Sequence, residues 1–177
     1  PYPLEEYPIP SLSLTYPAAV LEGEGIEVEI LDLLVSRYSA NKIKGKLEEY
    51  QPQVVGTSCA TMNYPTASRI LKASKSFDPG IVTIIGGPHV SFTARETLRR
   101  APWIDILVIG EGEETSVELV RALEGERSLK GVSGIAFREN GKVVITKPRP
   151  PIEALDRLPF PARNLLPLYK YRALGTP

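Results

Sequence analysis

The sequence predicts an α/β protein whose core is a doubly wound parallel β-sheet. Short apolar segments at residues 54–58, 81–85 and 104–109 alternate with helical patterns, and that alternation forces parallel pairing through right-handed crossovers. The second and third segments each run into a glycine-rich turn that opens a helix, Gly86-Gly87-Pro88-His89 and Gly110-Glu111-Gly112-Glu113-Glu114. Because ligands of open α/β sheets bind at the carboxyl ends of the strands, these turns also predict where a ligand site lies.

The amino-terminal part of the chain carries signals for two helices and one strand. Pro17 suits the first turn of a helix and Gly25 its end, so a helix is predicted near residues 16–23. Residues 26–32 alternate apolar and mostly acidic side chains, which predicts a strand towards the edge of the sheet. A second helix is expected to begin after Ser39, its cap. No strand pattern precedes the first helix, so we expect the first strand of the sheet to be missing from this chain.

Three further helices follow the apolar segments. Asn63 and Pro65 form a cap and first-turn signal for a helix after the segment at 54–58. Thr93-Ala94-Arg95-Glu96 has the spacing of a capping box and predicts a helix from there to about residue 100. The last helix is expected over residues 115–124. The predicted order is therefore strand, loop and helix in regular succession.

The carboxyl-terminal part departs from this rhythm. Asn140-Gly141 separates two apolar runs at 134–139 and 142–146, which predicts a β-hairpin with a two-residue turn. From Pro148 the chain is rich in proline, with short apolar clusters that follow no regular period. We therefore predict an α/β domain over residues 1–147 and an ordered linker over residues 148–177.

Composition limits the classes of function. The 177 residues are 42% apolar and 24% charged with zero net charge, which describes an ordinary domain without a field that would recruit nucleic acid or an anionic membrane. The longest apolar runs are far shorter than the roughly 20 residues of a membrane-spanning helix, and no signal peptide is visible. We therefore expect a cytoplasmic protein. The single cysteine, Cys59, excludes an internal disulfide and is expected to be a buried thiol.

Four motifs, taken in order and spacing, resemble a known family. They are Gly56-Thr57-Ser58-Cys59-Ala60-Thr61, Gly86-Gly87-Pro88-His89, the run from Asp105 to Thr115, and Leu155-Asp156-Arg157-Leu158-Pro159-Phe160-Pro161-Ala162-Arg163. The chain resembles the amino-terminal cobalamin-binding domain of cobalamin-dependent radical S-adenosylmethionine proteins. The anaerobic magnesium-protoporphyrin ester oxidative cyclases are relatives of this kind. The resemblance covers essentially the whole chain.

The resemblance implies a flavodoxin-like (Rossmann-like) sheet that holds a corrin ring at its carboxyl edge, with the nucleotide tail between strand ends. Gly86 and Gly87 would leave room for the tail because they carry no side chain, and hydroxyls at Ser58 and Thr61 would donate to its polar atoms. The implied cofactor-binding residues are Ser58, Cys59, Thr61, Gly86, Gly87, Pro88, His89, Gly110, Glu111 and Gly112.

Two absences limit what the resemblance implies. Members that hold cobalamin through a histidine carry an Asp-x-His-x-x-Gly motif after the first strand, whereas residues 1–11 contain no histidine. We therefore expect His89 to have a structural or rim-contact role, and we predict no metal ligand. Radical chemistry needs three cysteines for a 4Fe-4S cluster, and only Cys59 is present. The cluster, S-adenosylmethionine and catalytic residues are expected in a carboxyl-terminal radical domain outside this chain, which alone would be a non-catalytic binding domain.

Other functions stay open at this point. Gly110-x-Gly112 opens a helix as a dinucleotide fingerprint does, but the third glycine position holds Thr115 and the turn's three glutamates would repel a pyrophosphate. A flavin domain would need a hydroxyl-rich loop, of which residues 11–15 are a weak version. A degenerate domain that only docks to a partner is the third alternative. The resemblance favours a cobalamin-binding domain of an enzyme that performs methyl transfer or a radical rearrangement or cyclisation on an unknown substrate.

Overall fold

The computed structural model describes residues 9–36, 38–125 and 127–171. Its centre is a five-stranded sheet in the order β1-β2-β3-β4-β5. The first three strands pair in parallel, and the last two pair antiparallel. The strands are β1 (Val54–Ser58), β2 (Val82–Gly86), β3 (Ile106–Val108), β4 (Ile135–Glu139) and β5 (Lys142–Ile145). The predicted α/β sheet with an added hairpin is confirmed.

Helices cover both faces of the sheet. They are α1 (Leu12–Gly23), α2 (Leu33–Ser36), α3 (Ala40–Tyr50), α4 (Tyr64–Phe77), α5 (Pro88–Arg100) and α6 (Glu113–Leu123). Side chains of β3 alternate between the faces: Leu107 packs with α4 and α5, whereas Ile106 and Val108 pack with α6. Helix α1 lies beside α6 on the second face. The sheet is therefore doubly wound.

The hairpin has the predicted turn. Asn140 and Gly141 have φ angles of 49° and 74°, and a two-residue turn that matches the twist of its strands needs positive φ at both positions. Ile135 and Ala136, at the start of β4, are completely buried. The hairpin therefore extends the core of the domain.

The predicted strand at residues 26–32 is wrong. The segment is extended, and its side chains alternate between two helices: Val28 and Ile30 pack with Ala18 of α1, whereas Leu31 packs with Ile43 of α3. No ladder joins it to β1, which is an edge strand among the described residues. Alternating hydrophobicity reports burial on two sides, but a strand also needs a hydrogen-bonding neighbour, and the pattern does not reveal that.

Helix α1 begins earlier than predicted. Its first residue is Leu12, so Pro17 lies inside the helix and not at its start. Proline there leaves the carbonyl of Ser13 without its helical donor. Ser13 is exposed, so water can supply that hydrogen bond. Pro17 does belong to the predicted helix, but it does not mark the start of that helix.

The capping box predicted at Thr93 is also wrong, because α5 already begins at Pro88. Thr93 has non-helical angles (φ −115°, ψ 19°) and marks a kink. Its hydroxyl donates to the carbonyl of His89 at 2.9 Å instead of capping a new helix. The helix starts early because the Gly86-Gly87 turn leads directly into it.

Two predicted caps and one strand are correct in place but differ in detail. Asn63 and Ser39 do precede α4 and α3, yet neither side chain caps its helix. The side-chain oxygen Oδ1 of Asn63 instead accepts from the backbone N–H of Ala60 at 2.7 Å, which closes the loop after β1. Strand β3 is shorter than the predicted 104–109 and starts at Ile106.

Residues 148–171, which we call the strap, fold back onto the domain. They contain three single-turn helices (Leu155–Arg157, Arg163–Leu165 and Leu168–Lys170). Ala162 is buried and its N–H donates to the carbonyl of Thr15 in α1 at 3.0 Å. The predicted boundary between residues 147 and 148 stays a prediction. Within the described ranges, no helix has the length and apolar character needed to cross a bilayer.

Candidate functional site

Three loops meet at the carboxyl edge of the parallel strands. The first loop (residues 59–63) follows β1 and the third (residues 109–112) follows β3. The second, which follows β2, consists of Gly87 and the first two residues of α5, Pro88 and His89. The strand ends are level, because Ser58 pairs with Gly86 and a Cβ built on Gly86 would lie 3.6 Å from the Cβ of Val108. All ten predicted cofactor-binding residues lie on these loops or at the ends of these strands.

The first and second loops touch through their backbones. The N–H of Cys59 donates to the carbonyl of Gly86 at 2.9 Å. Gly87 has a φ of 100°, and a Cβ there would lie 2.4 Å from the carbonyl oxygen of Cys59. Such a contact is impossible for any side chain, so Gly87 is required by loop packing irrespective of a ligand.

A serine links the second and third loops. The Ser91 hydroxyl donates to the carbonyl of Gly87 at 3.0 Å and accepts from the N–H of Gly110 at 3.2 Å. Ser91 did not emerge from sequence reasoning, because a serine inside a helix carries no positional signal of its own. The three loops are thus joined into one unit.

Small residues form an open patch on the sheet beside this edge. Gly56, Ser58 and Gly86 share the face that carries Val108 and is covered by α1 and α6, because side chains alternate along each strand and pairs are level across strands. No heavy atom of the described residues lies within 4 Å of a Cβ built on Gly56. We call these three residues the small-residue floor. Gly56 was not predicted as a site residue, although a glycine inside a strand often marks close approach by a ligand.

His89 is held in a fixed orientation. Its Nδ1 lies 3.2 Å from the Thr61 hydroxyl, and its ring packs against that of Tyr64 with centroids 4.5 Å apart. The structure therefore brings together the predicted residues Thr61 and His89 and adds Tyr64, the first residue of α4. Together they supply a hydroxyl, an imidazole nitrogen and an aromatic ring at the rim of the first two loops.

Cys59 contributes backbone and not thiol chemistry. The side chain is only 2% exposed, and burial raises the pKa of the thiol from 9.0 to about 11. Because the thiolate is the nucleophilic form, burial and the raised pKa both disfavour nucleophilic chemistry at Cys59. The predicted buried thiol is confirmed.

Glu111 of the third loop and Glu114 in the first turn of α6 contact the strap. The Glu111 carboxylate accepts from the backbone N–H of Ile152 at 2.6 Å, and Glu114 pairs with Arg149 at 3.1 Å. Gly112 lies close to α1, because a Cβ there would be 3.8 Å from Cγ of Pro17. The glutamates were interpreted from the sequence as repelling a pyrophosphate, but two of them are engaged in holding the loop.

Residues 6–120 of the chain match the B12 binding domain family. The chain belongs to this family. The match includes all three loops and the small-residue floor. The resemblance predicted from the four motifs is therefore confirmed, and so are the flavodoxin-like fold and cobalamin as the cofactor.

Longer proteins share this domain. The chain is 39% identical over 168 residues to an uncharacterized methyltransferase of Pyrococcus horikoshii. This alignment covers 95% of the chain and 36% of that protein. It is 36% identical to the anaerobic magnesium-protoporphyrin IX monomethyl ester cyclase of Rubrivivax gelatinosus, over 92% of the chain and 30% of that protein. The chain thus spans about a third of the length of these curated relatives.

A solved structure shows the same fold with a corrin. The cobalamin-dependent S-adenosylmethionine radical enzyme OxsB, with aqua-cobalamin and S-adenosylmethionine bound, superimposes with a TM-score of 0.79 at 26% identity, over 94% of the chain and 24% of that protein. The radical methyltransferase TsrM of Kitasatospora setae shares the fold with a TM-score of 0.71 at 23% identity, over 81% of the chain and 28% of that protein. These comparisons give no support to a flavin or nucleotide site.

Proposed function

We propose that the three loops and the small-residue floor form the cobalamin site of this chain. The observation that carries the proposal is the open space above Gly56. A side chain at Gly56 would occupy this space, because a Cβ built there meets no described atom within 4 Å. Gly56 lies on the same face of the sheet as Ser58 and Gly86. The nucleotide tail would lie along this floor, and the corrin would lie over the three loops.

The polar groups of the site suit a neutral ligand periphery. Ser58, Thr61 and His89 offer hydroxyl and imidazole groups that can donate to or accept from the amide side chains of a corrin. The backbone around Gly110 and Gly112 would approach the ring because neither residue has a side chain. Pro88 and the backbones of Cys59 and Glu111 complete the proposed set. The carboxylates of Glu111 and Glu114 are turned to the strap, so they do not oppose ligand binding.

We propose further that the whole protein is a radical S-adenosylmethionine enzyme that performs methyl transfer or a radical rearrangement or cyclisation. When bound, cobalamin supplies a cobalt centre that can carry a methyl group or take part in radical chemistry. The names of the relatives include methyltransferases and a cyclase, which supports this class. A carboxyl-terminal radical domain with a 4Fe-4S cluster and S-adenosylmethionine is the proposed partner.

Exposed apolar side chains near the site support a covering domain. Met62 in the first loop, Phe92 near the start of α5 and Phe160 in the strap are 96%, 91% and 95% exposed. Single exposed apolar residues are common, but Met62 and Phe92 both lie beside the loops of the site, and exposed apolar side chains grouped at one edge mark an interaction surface. We call these three residues the apolar collar. The radical domain would pack over the collar and close the site.

The test is retention of hydroxocobalamin, measured as corrin absorption after desalting and as a dissociation constant from equilibrium dialysis. Gly56→Val fills the floor with a residue that favours strands, and Gly45→Ala in α3 is the control. We expect the chain and the control to retain corrin, and Gly56→Val to lose at least tenfold in affinity while unfolding at an unchanged or higher temperature. A folded chain that retains no corrin, or a Gly56→Val variant that binds normally, would contradict the proposal.

A further inference from the structure

The start of α6, immediately after the third loop, is joined to the strap through the side chain of Arg149. This side chain is only 10% exposed. Its Nε donates to the Thr115 hydroxyl at 2.8 Å, and its two terminal nitrogens lie 3.1 Å from Glu114 and 2.7 Å from Glu118. The three partners occupy the first turns of α6, immediately after the third loop. A guanidinium fork is suited to holding several acceptors at once.

Backbone contacts reinforce the same junction. The strap N–H of Ile152 donates to Glu111 inside the third loop at 2.6 Å. Gly134 accepts from the N–H of Ile109 and donates to Lys147, both at 2.8 Å. A Cβ on Gly134 would lie 3.1 Å from the Ile109 carbonyl and 3.3 Å from Cβ of Arg149. The end of β3, the start of β4 and the strap therefore meet around one glycine.

Beyond this junction the strap contacts α1 and the segment at residues 26–32. Beyond Ile152 it reaches α1, where Ala162 donates to the Thr15 carbonyl at 3.0 Å. It ends at Tyr171, whose hydroxyl donates to the buried Asp32 carboxylate. The strap is therefore held to the rest of the domain at both of its ends.

We propose that Arg149 is a positioning residue that couples the third loop to the strap, so that cobalamin binding and strap docking favour each other. The proposal rests on the cobalamin site proposed above, because it takes the backbone of Gly110 and Gly112 as part of that site. Arg149 itself reaches the loop through Thr115, whose hydroxyl donates to the carbonyl of Glu111 in that loop at 3.1 Å. Coupling between two binding events is reciprocal: if cobalamin strengthens strap docking by a given factor, strap docking strengthens cobalamin binding by the same factor.

Hydrogen exchange of the strap amides, with and without hydroxocobalamin, tests the coupling. We expect saturating hydroxocobalamin to slow exchange at Ile152 and Ala162 by about fivefold or more, within the usual range of coupling between sites. In Arg149→Gln this protection should disappear, and the dissociation constant of hydroxocobalamin should rise by a similar factor. Arg127→Gln is the matched control, because Arg127 pairs with the same Glu118 from an exposed position at 3.6 Å; it should keep both the protection and the affinity.

The outcomes separate the two proposals. Binding of hydroxocobalamin without any change in strap exchange would overturn the coupling and leave the cobalamin site standing. An Arg149→Gln variant that keeps the cobalamin-dependent protection would also overturn it, whatever its stability. Absence of binding by the unaltered chain would overturn both. If circular dichroism shows that Arg149→Gln is unfolded, Arg149→Lys keeps the charge without the fork and is judged by the same two measurements.

Discussion

The first two loops can pack this closely because Gly87 has no side chain. A Cβ there would lie 2.4 Å from the Cys59 carbonyl, and the backbone has a φ of 100°. Gly87→Ala should therefore lower the free energy of unfolding by about 1–3 kcal/mol or more, the cost of a strained backbone position. Urea unfolding followed by circular dichroism measures this loss.

Gly86 provides the control for that substitution. A Cβ there would meet Val108 at 3.6 Å, an ordinary contact, so Gly86→Ala should leave stability unchanged or raise it by up to about 1 kcal/mol. Equal losses for the two variants would contradict a packing role specific to Gly87. Substitution of both glycines together cannot test cofactor binding cleanly, because loss of the fold would remove the site.

The buried thiol of Cys59 predicts a pH dependence of stability. Its pKa is raised from 9.0 to about 11 by burial, so the unfolded chain loses this proton at a lower pH than the folded one. The stability linked to Cys59 is fully present below pH 9 and is lost as the pH rises towards 11. We expect the difference in unfolding free energy between the unaltered chain and Cys59→Ala to shrink over this range; a constant difference would contradict the prediction.

At the scale of elements, Arg138 joins the hairpin to the end of α5. Its guanidinium donates to the carbonyls of Leu98 at 2.8 Å and Pro102 at 3.0 Å, and also to that of Ile104. Hydrogen bonds from a charged donor contribute about 1.5–3 kcal/mol each, so Arg138→Met should lower the unfolding free energy by at least about 2 kcal/mol.

A matched change on the surface sets the scale for Arg138. Arg100 is 80% exposed and pairs with Glu96 at 3.1 Å within α5. Exposed pairs contribute about 0–1 kcal/mol, so Arg100→Met should cost at most about 1 kcal/mol in the same urea titration. A loss for Arg138→Met no larger than this would show that its contacts to the carbonyls contribute little.

Elements whose signal is local were predictable from the sequence. The strands at β1 and β2 follow from apolar runs, and the hairpin follows from Asn140-Gly141. The ordered motifs also identified the three loops before any geometry was known. Each of these signals depends on neighbours in the chain, which a single sequence contains in full.

Features that depend on distant contacts were not predictable. The segment at 26–32 has the alternation of a strand but packs between α1 and α3 without a ladder partner. Helix α5 starts at Pro88 because Gly87 closes against Cys59. The role of Gly56 in the small-residue floor depends on which side chains share its face of the sheet, and the role of Arg149 depends on the strap lying beside the start of α6.

At the scale of the whole molecule, the apolar collar predicts which edge is covered in the longer protein. Met62, the only methionine of the chain and 96% exposed, is a built-in reporter. Its oxidation by dilute peroxide, measured by mass spectrometry, should be rapid in the isolated chain. In a protein that carries the radical domain, we expect oxidation to be at least tenfold slower. Equal rates, with hydroxocobalamin absent from both samples, would place that domain elsewhere.

The contacts of the strap determine where the chain can be truncated without loss of stability. The family match ends at residue 120, yet Ile135, Ala136 and Ala162 are buried in the described structure, and Arg149 lies against α6. Truncation after residue 147 would remove Arg149, the partner of Glu114 and Glu118. It would also expose the part of α1 against which Ala162 packs. The segment that matches the family model is therefore shorter than the segment that packs together in the structure, and the smallest stable piece of this chain should extend to Tyr171.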